Sequence, residues 1–191
     1  MKISLLFIAI VFISCAGTSL TSKYKGEVSK YGLSNIDTIV DLGSGDGDFD
    51  KLIHKLFPKT FFILEDIEPQ YKKSKNSWSE TVIGTQDSIP LLSSKYKFVL
   101  CRNTVHEFKN HKNMLGEIKR ILSSDGILIV VEVMPKFKGE IAAICKNRLL
   151  MKEEIIELFT HNGFQFQSSE ITSYELKHKG DRNFNILKFT N

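Results

Sequence analysis

The sequence predicts an α/β fold built on a mainly parallel sheet, and three observations support this prediction. From Ser22 onward, short apolar runs typical of buried strands alternate with segments of helical periodicity. The run from Ile127 to Val133 is the most strand-like in the chain, which places it near the centre of the sheet. The end of the chain, from Phe164 to Lys177 and from Asn183 to Thr190, is expected to form an antiparallel hairpin.

Composition restricts the protein to one domain with at most a short appendage. The 191 residues are 42% hydrophobic and 25% charged, which is too apolar for intrinsic disorder and too short for a separate substrate domain. The three cysteines include no C-x-x-C pair, which argues against a disulfide scaffold or a zinc ribbon. The net charge of +4 comes from scattered basic residues, so nucleic-acid binding is not expected.

The first half of the chain predicts a helix, a strand, a second helix and two further strands. Residues 23–35 favour a short helix, and Thr38 to Leu42 favours the first strand. Helical spacing follows until Pro58 ends it, and the residues that share the apolar stripe are Phe49, Leu52, Ile53, Leu56 and Phe57. Phe61 to Leu64 predicts a buried second strand, and Thr81 to Ile83 a short third one.

The second half repeats this alternation before the final hairpin. Phe98 to Cys101 predicts the fourth strand. An amphipathic helix follows and is expected to stop at residues 123–126, with its apolar stripe formed by Met114, Leu115, Ile118, Ile121 and Leu122. Two more helical patterns cover residues 139–149 and 152–161, and Gly163 is a candidate C-cap for the second.

The first residues are expected to be a signal peptide. Lys2 precedes the apolar run Ile3 to Ile13, which is shorter than the roughly 20 residues of a membrane-spanning helix. The exit through Cys15 resembles a bacterial lipoprotein cleavage box, although that box usually has leucine where Phe12 stands. A cut after Ala16 stays open, as does a buried first strand or docked helix.

This interpretation sets the domain boundaries and the location. Residues 1–14 are expected to be the signal peptide and residues 15–24 a spacer, with one domain over residues 25–191. Lipid on Cys15 would anchor an exported protein to the membrane of a bacterial cell envelope. The alternative location is the cytoplasm.

A glycine-rich turn, residues 41–47, separates the first strand from its helix. Glycines allow a tight turn and a close approach of a ligand to the backbone, and the Asp41 carboxylate is expected to accept hydrogen bonds from the turn's amides. A dinucleotide fingerprint would require glycine where Asp48 stands, and the phosphate-binding G-x-x-x-x-G-K pattern is absent. The acidic residues Asp41, Asp46 and Asp48 suit a cationic ligand better than a pyrophosphate.

Glu65, Asp66 and Ile67 come at the exit of the second strand. A carboxylate at this position accepts both hydroxyls of a ribose. The alternative is an acidic strand end that is simply exposed to water. Together with the glycine turn, the position favours a nucleoside ligand.

The segment from Thr38 to Gly47 resembles the first motif of the class I S-adenosylmethionine (SAM) dependent methyltransferases. Asp66 falls where that family has its ribose-binding acid. Similar segments follow in the family's order over about residues 25–190, at 84–87, 89–91, 99–103, 117–122, 126 and 162–164. The resemblance implies a Rossmann-like three-layer sandwich, with a seven-stranded, mostly parallel sheet and an antiparallel last strand.

The resemblance also implies SAM as the cofactor. A metal site is not expected. The residues that the resemblance assigns to SAM are Asp41, Gly43, Ser44, Gly45, Gly47, Asp66, Ile67, Thr85, Gln86 and Arg102. Two positions depart from the family's pattern: Thr85 replaces an acid near the adenine, and Lys97 replaces an acid at the start of the fourth strand.

Catalytic residues are expected after the fourth strand, because open α/β sheets bind ligands at the carboxyl ends of their strands. Methyl transfer from a sulfonium is an in-line displacement, in which positioning contributes about 7–11 kcal/mol and a general base only about 10²–10⁴-fold. His106 is the candidate base or substrate contact, with Glu107 beside it and Asn103 nearby. The alternative is that His106 and Glu107 are ordinary polar residues at a helix start.

Other reactive side chains have plainer explanations. Cys101 is expected to be a buried apolar residue, and His54, His111, His161 and His178 show no metal-ligand spacing. Lys136, Lys138, Lys146 and Arg148 could favour an anionic acceptor, but a solvated cationic face is the simpler expectation.

The predicted function is therefore methyl transfer from SAM to an unidentified acceptor, either a small molecule or an exposed side chain. The alternative is an exported lipoprotein of the same fold that binds a nucleoside-like ligand or a partner without catalysis. A nicotinamide-dependent dehydrogenase is disfavoured by Asp48.

Overall fold

The structure is a computed structural model that describes residues 24–33, 36–73, 75–176 and 180–191. The predicted signal peptide and almost all of the spacer lie outside these residues. Within them, no helix has the combination of length and hydrophobicity needed to cross a membrane. The helices in chain order are α1 (residues 24–29), α2 (Asp48–Leu56), α3 (His111–Ile121) and α4 (Lys152–His161). The strands are β1 (Thr38–Leu42), β2 (Phe61–Asp66), β3 (Ser79–Ile83), β4 (Tyr96–Arg102), β5 (Leu122–Val133), β6 (Gln165–Leu176) and β7 (Gly180–Thr190).

The seven strands form one sheet in the order β3-β2-β1-β4-β5-β7-β6. The pairs from β3 across to β5 are parallel, whereas β7 runs antiparallel to both β5 and β6. The predicted α/β class, the seven-stranded sheet and the antiparallel last strand are confirmed. The chain reverses its lateral direction at β1 and β4, and such a switch point places ligands at the carboxyl ends of these strands.

Helices cover both faces of the sheet. On one face, α1, the turn that follows it and α2 bury Val28, Tyr31 and Ile53 against the strands. On the other face, α3 and α4 bury side chains such as Leu115 and Phe159. Because both faces are covered, central strands are apolar at consecutive positions, as in β4, where every residue from Phe98 to Cys101 is buried. The result is the expected three-layer sandwich.

Most predicted elements are present with small differences at their ends. The Asn110 side chain accepts the Asn113 N–H at 3.2 Å and so caps the start of α3. The predicted stop at residues 123–126 is late by one residue, because β5 begins at Leu122 and pairs with Tyr96. The predicted first helix is also longer than the observed α1, which ends at residue 29.

The helix predicted over residues 139–149 is wrong. This segment, which we call the 140s loop, folds back on itself: the Leu149 N–H donates to the Glu140 carbonyl and the Ala142 N–H to the Asn147 carbonyl, both at 2.8 Å. Its helical spacing does not create a buried stripe, since the Ile144 side chain is 85% exposed. Without a sheet face to cover, local propensity does not stabilise a short helix.

The connection between β3 and β4 contains no helix and is held by α3 instead. The Arg120 guanidinium donates to the carbonyls of Ile89 at 2.7 Å and Leu91 at 2.8 Å. The Glu117 carboxylate accepts the Ile89 N–H at 2.9 Å. These bonds fix the loop that carries Gln86 to the edge of the sheet where the strands end.

Candidate functional site

A cavity of about 460 Å³ opens at the carboxyl ends of β1, β2 and β4, and we call it the first cavity. It contains most of the residues that the sequence assigned to a ligand site. The predicted residues that line it are Asp41, Gly43, Ser44, Gly45, Asp66, Ile67, Gln86, Arg102 and Glu107. Its size suits a nucleoside-sized ligand.

The glycine turn is bonded to the end of β2. The N–H groups of Gly43 and Ser44 donate to the Glu65 carbonyl at 2.9 and 3.0 Å. The Gly45 N–H donates to Asp66 Oδ2 at 2.9 Å, while Asp66 Oδ1 accepts the Glu68 N–H at 2.9 Å. The prediction that Asp41 accepts the turn's amides is wrong, because β2 supplies those acceptors.

The three glycines of the turn have different roles. All adopt positive φ, between 56° and 73°. A Cβ on Gly43 would lie 2.5 Å from Thr104 Cγ2, and one on Gly47 would lie 2.9 Å from Leu64 Cδ1, so both glycines allow close packing. Nothing lies within 4 Å of a Cβ on Gly45, which therefore faces the open cavity. Gly47 itself does not line the cavity.

Buried carboxyls lie beneath the turn. Burial, followed by the charge of Asp50, raises the pKa of Asp41 well above its ordinary value. Burial also raises the pKa of Asp50 to about 7, and burial with the charge of Asp66 raises the pKa of Glu65 to about 7. Asp41 Oδ1 has no hydrogen-bond partner among the described residues. A cation at this wall of the cavity would favour the ionised form of Asp41.

Arg102 separates the first cavity from a second one. Its Nε and Nη2 donate to the two carboxylate oxygens of Glu27 at 2.9 and 3.3 Å, and its guanidinium carbon lies 4.1 Å from the centre of the Phe49 ring. Glu27 is fully buried and also accepts the Tyr31 hydroxyl. The pair therefore joins α1 to the end of β4. Sequence reasoning did not identify Glu27, because an isolated acid in a short helix gives no signal.

The second cavity, of about 360 Å³, lies between the end of β4, the 140s loop and β7. His106 lines this cavity and not the first one, whereas Glu107 lines both. His106 Nδ1 is 2.7 Å from Glu132 Oε2 on β5, and Glu132 Oε1 accepts the Val105 N–H at 2.7 Å.

The Glu132 carboxylate favours the protonated form of the His106 ring. Burial disfavours the charged ring, but the hydrogen bond and negative charge of Glu132, with a further contribution from Cys145, outweigh burial and raise the pKa of His106 to about 9. At neutral pH the ring therefore donates hydrogen bonds. It can accept a proton only after losing its own.

Thr85 lies outside both cavities. Its N–H donates to the Ser88 carbonyl at 2.9 Å, and its hydroxyl accepts the Asp87 N–H at 3.3 Å, so it shapes the β3–β4 connection. The first cavity also has walls that sequence reasoning did not assign to a ligand site, formed by Phe49, Glu68, Tyr71, Thr104, Phe108, Lys109 and Met114. Glu68 and Tyr71 lie within five residues of Asp66, and this closeness in sequence is what could have pointed to them.

Comparisons with known proteins agree with this architecture. Residues 40–130, slightly less than half of the chain, match the family model of a methyltransferase domain. A SAM-dependent methyltransferase from Methanosarcina mazei superposes with a TM-score of 0.69 at 12% identity, covering 86% of this chain and 96% of that one. A SAM-dependent methyltransferase from Aquifex aeolicus gives 0.68 at 16% identity, covering 87% and 89%.

The same fold also hosts other chemistry. The [4+2]-cyclase SpnF superposes with a TM-score of 0.68 at 14% identity, covering 92% of this chain and 82% of that one. No curated protein matches the chain in sequence. At these identities the structural likeness establishes the fold, and the reaction has to be inferred from the site.

The buried carboxyl of Asp50 predicts a pH-dependent stability. Its pKa is raised from 3.8 to about 7, so the folded state binds this proton more tightly than the unfolded state. The resulting stabilisation is complete below about pH 4 and is lost as the pH rises towards 7. Asp50→Asn, which mimics the neutral carboxyl, should therefore raise the free energy of unfolding at pH 8 by about 1–3 kcal/mol, and by nothing near pH 4.

Urea unfolding at several pH values measures this difference. Asp48→Asn is the matched control, because Asp48 lies in the same turn of α2 with its side chain 70% exposed, and it should give no such gain. An Asp50→Asn protein that is no more stable than the parent at pH 8 would contradict the buried-carboxyl interpretation.

Proposed function

We propose that the protein transfers a methyl group from SAM to a small-molecule acceptor by in-line displacement. The observation that carries this proposal is the position of Asp66, whose carboxylate is fixed by the Gly45 and Glu68 amides at the first cavity. Each oxygen accepts one amide and retains a lone pair for a further donor. The methyltransferase-domain match over residues 40–130 supports the reaction class.

The polar groups of the first cavity fit SAM. Four buried atoms on its wall lack hydrogen-bond partners among the described residues: Asp41 Oδ1, Ser44 Oγ, Glu65 Oε1 and Asn103 Oδ1. The ammonium group of SAM supplies the donors that such acceptors need, and its sulfonium supplies an activated methyl group. Asp66 would hold the ribose, with Ile67 and Gln86 beside the adenine. The SAM-dependent methyltransferases of Methanosarcina mazei and Aquifex aeolicus, which share this fold, support the same ligand.

The charge of this cavity disfavours a dinucleotide. Acidic side chains line it at Asp66, Glu68 and Glu107, and they would repel a pyrophosphate. Asp48 occupies the position of the third glycine in a dinucleotide fingerprint. A nucleoside that carries positive charge is therefore the better ligand.

The second cavity is the proposed acceptor site. It adjoins the first through Arg102, Asn103 and Glu107, which line both. Much of its wall is apolar, and Arg182 is paired with Glu140 at 3.0 Å. The basic residues Lys136, Lys138, Lys146 and Arg148 are exposed and do not line it. A small, largely apolar acceptor fits this wall better than a polyanion.

The residues after β4 have distinct proposed roles. Glu107 lines both cavities with its side chain 51% exposed, so it faces the acceptor and can take a proton from it. His106, oriented by Glu132, contacts the acceptor and positions it. Most of the barrier reduction comes from holding donor and acceptor in line, at about 7–11 kcal/mol in favourable cases. The non-catalytic alternative uses the same first cavity, and no contact among the described residues favours it.

Asp66→Asn tests the proposed SAM site. The amide loses one acceptor oxygen, so SAM affinity measured by isothermal titration calorimetry should fall about 10–100-fold. Asp125→Asn is the matched control, because Asp125 is exposed and paired with Lys97 near the start of β5, and it should leave the affinity unchanged. A parent protein that does not bind SAM, or an Asp66→Asn variant that binds as tightly as the parent, would overturn the proposal.

Export and lipid anchoring at Cys15 are a separate proposal, supported by the sequence of the first residues alone. Cells that express the full chain in a bacterial host should incorporate labelled palmitate into the protein, and Cys15→Ser should remove the label. Cys101→Ser should retain it. An unlabelled protein with an unprocessed N-terminus would instead support the cytoplasmic alternative.

A further inference from the structure

Three metal-ligating side chains meet at the second cavity. His106 and Glu107 follow β4, and Cys145 comes from the 140s loop. One ligand atom from each lies within 4.8 Å of the other two, and His106 Nε2 is 3.8 Å from Glu107 Oε1. Sequence spacing gave no sign of this cluster, because the thiol comes from a distant part of the chain.

The His106 ring is oriented from behind by a buried carboxylate. Glu132 is 2% exposed, and its Oε2 is 2.7 Å from His106 Nδ1. Its other oxygen accepts the Val105 N–H at 2.7 Å, so the carboxylate cannot rotate freely. Metal-ligating histidines typically have this arrangement, in which a carboxylate holds one ring nitrogen and the other nitrogen faces the ion.

The 140s loop places Cys145 beside His106 and Glu107 at the second cavity. The Lys146 N–H donates to the Ala142 carbonyl at 3.1 Å, and Lys146 adopts a positive φ of 61°, so the chain turns sharply beside the cysteine. Cys145 is half-buried and lines the second cavity, whereas Cys101 is fully buried in the core. Cys145 is thus the accessible one of these two thiols.

We propose that His106 Nε2, a Glu107 carboxylate oxygen and Cys145 Sγ bind a divalent, thiophilic metal ion of the Zn²⁺ class. The nitrogen, oxygen and sulfur donors are those that Zn²⁺ takes in proteins, at about 2.0–2.3 Å each. Tetrahedral ligands at these distances lie about 3.3–3.8 Å apart, which the His106–Glu107 distance already matches. The contacts to Cys145 Sγ lie within 4.8 Å, and a small shift of the 140s loop together with rotation of the Glu107 side chain would close them around an ion.

Three protein ligands leave the fourth position of the ion open to the second cavity. The ion takes Cys145 as its thiolate and His106 through a neutral Nε2, so a proton carried by either atom leaves to solvent on binding. One consequence rests on the proposed function: an acceptor thiol or hydroxyl bound at the open position would lose its proton to become a better nucleophile. Metal binding itself does not depend on SAM.

Cobalt titration of the full chain tests the site. Protein stripped with a chelator and then freed of it should bind Co²⁺ at one equivalent, with a thiolate-to-cobalt charge-transfer band in the near ultraviolet that Zn²⁺ abolishes. Cys145→Ser should remove the band, and His106→Gln should weaken binding by at least about tenfold. His161→Gln, a matched change on the exposed face of α4, should leave both unchanged.

A second measurement uses the unmutated protein and does not depend on how a variant folds. Iodoacetamide should alkylate Cys145 in the metal-free chain, and Zn²⁺ should slow that reaction several-fold, as peptide mass spectrometry reports. A missing band, a band that survives in Cys145→Ser, or alkylation indifferent to Zn²⁺ would overturn the metal site. SAM calorimetry on the Cys145→Ser protein separates the two proposals, because retained SAM binding leaves the proposed function intact when the metal site fails.

Discussion

The attachment of the glycine turn to the end of β2 is the interaction on which the site depends. Asp66 accepts the Gly45 and Glu68 amides, and the Glu65 carbonyl accepts those of Gly43 and Ser44. These bonds hold the turn open towards the cavity and fix the carboxylate on its wall. The positive φ values of the glycines are tolerated because no side chain has to fit between the turn and its neighbours.

Two buried ionic contacts then set what each cavity can accept. The Arg102–Glu27 pair neutralises the wall between the cavities and joins α1 to the sheet. The His106–Glu132 pair orients a ring towards the second cavity. Each pair places opposite charges side by side, because a charge removed from water needs a bonded partner of opposite charge. The first cavity keeps acceptor oxygens without hydrogen-bond partners among the described residues, and the second keeps the oriented His106 ring and the Cys145 thiol.

Local patterns predicted the sheet, the turn and Asp66, because strand burial and glycine spacing are properties of consecutive residues. The helix predicted for the 140s loop is wrong, because whether Ile144 is buried depends on which surface the chain meets, and periodicity alone does not show this. Glu27, Glu132 and Cys145 were not predicted as site residues for the same reason. Each acquires its role from a partner far away in sequence, and a single acid or thiol carries no periodic signal.

A crystal structure of the full chain with S-adenosylhomocysteine is the most direct measurement of the central claim. The account predicts both ribose hydroxyls within hydrogen-bond distance of the Asp66 carboxylate, with that carboxylate still accepting the Gly45 amide. A nucleoside bound elsewhere, or an Asp66 side chain turned away from the ribose, would contradict it.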